Sequence, residues 1–189
     1  YIVEPVLTDI YAGDCAAAVL MRVLNRFGFT ESHTGSVEGG FYLATIKDGT
    51  IPNIPVSPVN APAELVDALS SWGITLEDRY SENELGEFDY CYASGWMYCL
   101  NNVFPNVGFS DSYLSDGDVV RVQFTVAYGS DIGGGYAMGG SDNTSFYPVA
   151  NKDRLSTLIA TLNEHGIEIP DSAMSLSLIH ISEPTRLGM

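Results

Sequence analysis

Apolar residues near the start of the chain recur with the spacing of a helix: Ala16, Leu20, Val23 and Phe27 share one side, and Arg22, Asn25 and Arg26 the other. The pattern predicts an amphipathic helix over 14–27, with Asp14 as N-cap and Gly28 as the stop. The segment before it, Ile2 to Ile10, reads as extended, and Pro5 suggests a sheet edge. After Gly39-Gly40 the period changes. Phe41 to Ile46 is a short aromatic and β-branched run ending at Asp48-Gly49, which predicts a strand closed by a tight turn. Pro52, Pro55 and Pro58 fall at every third position of Ile51 to Val59 and favour an extended polyproline-like loop. A second helix is expected over 63–72, with Pro62 at its first turn, Leu65, Leu69 and Trp72 on one side and Gly73 as the stop.

In the second half Trp96, Tyr98 and Leu100 alternate with Met97 and Cys99, the pattern of a strand with one aromatic face. Asn101-Asn102 supplies a reversal. Val120, Val122, Phe124, Val126 and Tyr128 alternate with Arg121, Gln123, Thr125 and Ala127, which predicts a half-buried strand. The Gly-rich run Gly129 to Gly140 reads as a mobile surface loop, and Leu155, Leu158, Ile159 and Leu162 mark a last helix ended by Gly166. No internal repeat and no dividing linker is visible. Helices interleaved with groups of strands indicate an α+β protein, a twisted, mainly antiparallel sheet with the 14–27 helix packed across one face.

Composition agrees with a folded globule, since 46% of the residues are hydrophobic and 11% aromatic. No apolar stretch approaches the roughly 18 residues needed to cross a bilayer. With 24 acidic against 8 basic side chains the net charge is −16, which repels phosphate backbones and anionic headgroups and argues against nucleic-acid or membrane-surface binding. Six acids lie between Glu77 and Asp89 with Arg79 as the only base, the composition of a solvated loop or of a patch for calcium or a cationic partner. An odd count of three cysteines, Cys15, Cys91 and Cys99, excludes a complete disulfide framework; buried thiols are the default, with a Cys91–Cys99 bridge as the alternative.

Candidate chemistry is sparse. His33 and His165 are the histidines outside the C-terminal segment carrying His180, and neither sits in a metalloprotease motif, a nucleophile elbow or a Walker loop. His33 with Cys15 is the notional nucleophile pair, while His165 fits a favourable helix end. No catalytic constellation results, and the expectation is a non-enzymatic chain. Asp111, Asp116 and Asp118 are candidate calcium ligands, although Asp116-Gly117-Asp118 is also a tight-turn sequence. Trp96, Tyr98, Phe104 and Tyr113 are candidates for an aromatic platform that stacks a flat ligand; the competing reading puts the same stripe in the core beneath a helix.

Several of these segments together resemble one family. They are Ala17-Ala18-Val19-Leu20 with Met21, Gly40-Phe41-Tyr42, the run from Ser94 to Phe124 (SGWMYCLNNVFPNVGFSDSYLSDGDVVRVQF), and its Asp116-Gly117-Asp118 turn. This pattern resembles the transcobalamin-C-terminal-like domain of secreted and surface-anchored bacterial proteins, for which the resemblance implies a β-grasp-like fold. Where that family reads Asn-Gly, this chain has Asn101-Asn102; Asn also tolerates positive φ, so the turn is expected to form. The expected organisation is a domain over 1–150 with an inserted helix near 62–73, a helical extension or next unit over 151–174, and a tail over 175–189. Leu176 to Met189 (LSLIHISEPTRLGM) resembles sequencing-adapter read-through. The chain begins at Tyr1 with no charged n-region and no apolar h-region, so a signal peptide, if the gene has one, is expected upstream of it.

The resemblance implies an extracellular or cell-surface module for ligand binding, adhesion or spacing within a larger bacterial protein, its partners being a small molecule, a glycan, a protein or neighbouring domains. Two alternatives stand beside it. One is an accessory domain of a secreted or surface enzyme; the other is a cobalamin-binding half-site, because relatives of this domain cover one face of a corrinoid. No cofactor is required by the residues, with cobalamin and calcium the two to consider.

Overall fold

The computed structural model describes residues 2–47, 61–79, 83–141, 145–146 and 152–169. The expected Asp48-Gly49 turn, the Ile51 to Val59 segment and the Leu176 to Met189 tail lie outside them. The chain divides into two compact units, Ile10–Val149 on one hand and Tyr1–Asp9 with Ala150–Met189 on the other. The N-terminal extended segment thus groups with the C-terminal helix, not with the residues that follow it. In that smaller unit α3 (Asp153–Glu164) buries Ile159 and Ala160, and Asn163 Nδ2 donates to Glu4 Oε2 at 2.9 Å.

The larger unit is α+β. Helix α1 (Ala16–Arg26) precedes β1 (Thr30–Ser36) and β2 (Gly39–Lys47); α2 (Ala63–Ser71), β3 (Glu84–Gly86), β4 (Gly95–Leu100) and β5 (Val120–Thr125) follow. All pairings are antiparallel and fall into two sheets, β1-β2-β3 and β4-β5. Strand β1, TESHTGS, has no apolar residue and no buried one, so periodicity offers no sign of it. It exists through its backbone ladder to β2, with bulges near Gly35, where a Cβ would collide with the Gly40 carbonyl oxygen. Strand β3 likewise forms inside the acidic segment expected as a loop, where Glu84 pairs with Lys47 of β2 at 3.3 Å.

Helix α1 buries Ala16, Ala17, Val19, Leu20 and Leu24, a stripe shifted from the expected one. Phe27 is 44% exposed because it lies just past the last helical residue, where the Arg26 guanidinium sits 5.5 Å from its ring. Asp14 stands one position before the N-cap, Cys15; its carboxylate accepts from Tyr11 N–H at 2.8 Å and from Arg22 at 2.7 Å. Those donors, the Tyr11 N–H foremost and then Arg22, hold the carboxyl below the usual carboxylate range. The first helical N–H, of Ala16, donates instead to Ser112 O at 2.8 Å, and a bridge between Cys15 and Tyr113 docks the helix start on that segment.

Strand β4 is buried along most of its length, including both Trp96 and Cys99, so both of its faces belong to the core. Asn101 and Asn102 follow with φ of +51° and +63°, the two positive values of a type I′ turn, and Leu100 and Val103 exchange backbone bonds across it. The expected reversal is there. Strand β5 ends at Thr125 instead of continuing to Tyr128, because the chain turns there around a buried Thr125 hydroxyl.

Candidate functional site

Two loops, one after β3 and one after β5, hold bulky residues in left-handed backbone: φ is +67° at Phe88, +70° at Tyr90 and +50° at Tyr128. A residue with a large side chain avoids that region, at a cost on the order of 1–3 kcal/mol each, and persists there only when neighbouring bonds enforce it. In the first loop those bonds are dense. Tyr90 N–H donates to Arg79 O at 2.8 Å, its carbonyl accepts from Glu77 N–H at 2.8 Å, and Arg79 Nη2 donates to Phe88 O at 2.9 Å. Gly86 N–H donates to Asp89 Oδ2 at 2.7 Å, and the buried Tyr90 ring meets Phe124 edge-on at 6.4 Å.

In the second loop one hydroxyl organises the backbone. Thr125 Oγ1 donates to Asp131 Oδ1 and accepts from the N–H groups of Ala127, at 3.1 Å, and Gly129, at 2.7 Å. Asp131 Oδ2 accepts from Val126 N–H at 3.0 Å. Burial nonetheless pushes the Asp131 carboxyl up, against the lowering effect of the Thr125 and Val126 donors. Glycine is required at position 129, since a Cβ there would lie 2.7 Å from Met97 Sδ and φ is +85°.

These loops meet. Tyr128 N–H donates to Ala93 O at 3.0 Å, and the rings of Tyr92 and Tyr128 lie edge to face, centroids 6.3 Å apart and planes at 61°. Neighbours alternate sharply: Ala93 and Ala127 are buried, while Tyr92 is 53% and Tyr128 41% exposed. Behind the pair, Ala93, Ala127 and Cys91 pack in one cluster with Leu65 and Leu69 of α2 and with Ile74. Helix α2, expected as an inserted helix, is therefore the hydrophobic backing of an exposed aromatic pair. Phe88, on the first loop, is 52% exposed, and Tyr42, 46% exposed, donates to Glu87 Oε2 at 2.6 Å. Burial and that hydrogen bond push the Tyr42 hydroxyl up to about 12; Tyr128 is also raised, first by desolvation and then by Tyr92 and Cys91. Their rings stay neutral at physiological pH.

The aromatic platform expected on β4 is not a surface. Trp96, Tyr98 and Phe104 are buried: Trp96 Nε1 donates to Leu85 O at 3.1 Å, the Tyr98 hydroxyl lies 2.6 Å from Ser112 Oγ, and the Phe104 ring is 1% exposed. Tyr113 alone of the four is open, at 71%. The physical reason is that β4 has core on both faces, so its rings are filler whose polar tips are satisfied by backbone and Ser112. The run Gly129 to Gly140, expected as a mobile surface loop, begins as a packed turn: residues 129, 130 and 133–135 are buried, Gly134 lies against Phe104, and Tyr136 OH accepts from Phe104 N–H at 3.0 Å.

The acidic candidates do not converge. Asp118 uses one oxygen to accept from Ser115 N–H at 2.7 Å and the other to accept from Asn101 Nδ2 at 2.8 Å, which makes it the clamp of its own turn. Asp111 closes the 3₁₀ turn Phe109–Asp111, and Asp116 is exposed. Among the described residues no three His, Cys, Asp or Glu side chains are placed to hold a metal ion. His33 stacks on Phe41 at 4.7 Å with Nδ1 3.4 Å from Glu31, while Cys15 Sγ donates to Val37 O at 3.5 Å; the notional pair is not formed. Cys91 and Cys99 are buried and not bridged, and burial raises the Cys91 thiol. His165 caps α3. No described helix is long and apolar enough to cross a membrane.

Spacing does not bring Tyr92 and Tyr128 together, because Tyr92 falls on no periodic face and Tyr128 reads as the last residue of the half-buried face Val120, Val122, Phe124, Val126 and Tyr128. The available signal was an aromatic residue beside alanine at both places, Tyr92-Ala93 and Ala127-Tyr128. Comparison of the chain with protein-family models, with curated proteins and with solved structures finds no match.

Proposed function

We propose that this chain is a non-enzymatic extracellular or cell-surface module of a larger bacterial protein, and that it binds through the Tyr92–Tyr128 pair. The location rests on the resemblance carried by Ser94 to Phe124. The surface rests on one observation: Tyr128 is kept at φ +50° by a buried Thr125–Asp131 network while its ring remains 41% exposed against Tyr92. At Tyr90 the same backbone strain ends with a buried ring, whereas at Tyr128 it ends with an exposed one packed against a second exposed ring, which supports a presenting role.

The test is a screen of the labelled chain on glycan and peptide arrays beside Tyr92→Ser and Tyr128→Gly. Saturable binding lost in both substitutions, with melting temperatures unchanged, supports the proposal. Binding that survives both, or no saturable binding by the parent chain, refutes it.

A further inference from the structure

We infer that the Tyr92–Tyr128 corner selects a compact quaternary ammonium cation, a trimethylammonium group carried by a small molecule. This rests on the binding reading above and narrows its ligand. Planes inclined at 61° cannot both lie flat on one sugar ring or nucleobase, so a flat ligand would use one tyrosine and waste the other. A round cation has no such requirement and can contact both rings at once.

Charge points the same way. The chain carries 24 acidic and 8 basic side chains, so anions are repelled and cations concentrated at its surface. Two other exposed rings carry a guanidinium of the chain itself: Arg22 lies 4.8 Å from the Tyr11 ring centre and Arg26 5.5 Å from that of Phe27. Among the described residues, no such cation lies over Tyr92 or Tyr128. The base in the adjoining loop, Arg79, is turned to the Phe88 carbonyl. The raised Tyr128 hydroxyl keeps that ring uncharged, so the attraction is to a π face and not to a phenolate. A primary ammonium has three N–H donors to satisfy on leaving water, which ring faces serve poorly; a quaternary one has none.

Titration of the full chain at constant ionic strength with choline, with its neutral isostere 3,3-dimethylbutan-1-ol and with maltose, followed by tyrosine NMR signals, decides the matter. Saturable choline binding is expected, at least about tenfold tighter than the isostere and weakened at least about tenfold by Tyr92→Ala and by Tyr128→Gly, glycine being chosen because it accepts φ +50° without strain. Equal binding of choline and isostere overturns the cation inference. Maltose binding that shifts Tyr92 and Tyr128 overturns it too, yet leaves the binding surface standing. If no probe moves either tyrosine, the cation inference fails, and the array screen then decides separately whether the surface binds anything.

Discussion

Replacing Thr125 with valine keeps the volume of a side chain that is 3% exposed and deletes the hydroxyl on which the second loop is built. Three partners lose it together: Asp131 Oδ1 its donor, and the N–H groups of Ala127 and Gly129 their acceptor. A buried polar group left unsatisfied costs about 1–3 kcal/mol, so with partial relaxation the sum is about 3–5 kcal/mol. That is a large part of the stability of an ordinary domain, and at about 2–4 °C per kcal/mol it lowers the melting temperature by about 10 °C. Thr125→Ser is the control. It keeps the oxygen and removes one buried methyl group, for about 1 kcal/mol. Thermal unfolding followed by circular dichroism measures both, and the Tyr92 and Tyr128 NMR signals report whether the loop has let go of its ring. If Thr125→Val melts within 2 °C of the parent chain, or if serine is as damaging as valine, the hydroxyl does not hold the loop and the reasoning about strained presentation fails.

Other consequences can be checked independently. Because burial raises the Asp131 carboxyl, the folded chain holds that proton more readily than the unfolded one; this contribution to stability is complete below the unfolded value of about 3.9 and is lost as pH rises through the folded value. Asp14, lowered by Tyr11 and Arg22, acts in the opposite sense, so the measurement is the difference in urea midpoint between parent and Asp131→Asn across pH 4–8; a difference that does not vary with pH refutes the assignment. Trp96 is 9% and Trp72 42% exposed. Trp72→Phe should therefore leave blue-shifted, quencher-resistant emission and Trp96→Phe red-shifted, quenchable emission, and the reverse order would contradict the burial of β4. Gly134→Ala places a Cβ 2.8 Å from the buried Phe104 ring, and overpacking of this kind costs about 1–3 kcal/mol; an unchanged melting temperature would show that the Gly-rich turn is not packed there.

Much of the architecture was readable from residue order because it depends on local spacing. The amphipathic period of α1, Pro62 and Gly73 around α2, the alternation in β4 and the positive-φ tolerance of Asn101-Asn102 each act within a few residues, and helices, strand and turn lie where those signals put them. Burial was not readable in that way. A stripe such as Trp96, Tyr98 and Phe104 looks the same whether it faces water or a second layer, and it became core because β4 is covered on both sides. Strand β1 has no apolar pattern, and its existence depends on a backbone ladder to β2. The tyrosine pair depends on contacts between distant positions: Tyr128 N–H on Ala93 O, 35 residues away, with α2 closing the core beneath. Periodicity carries the preferences of neighbours along a chain. Which face meets solvent, and which rings meet each other, follows from contacts between distant segments, and those exist only once the layers have closed.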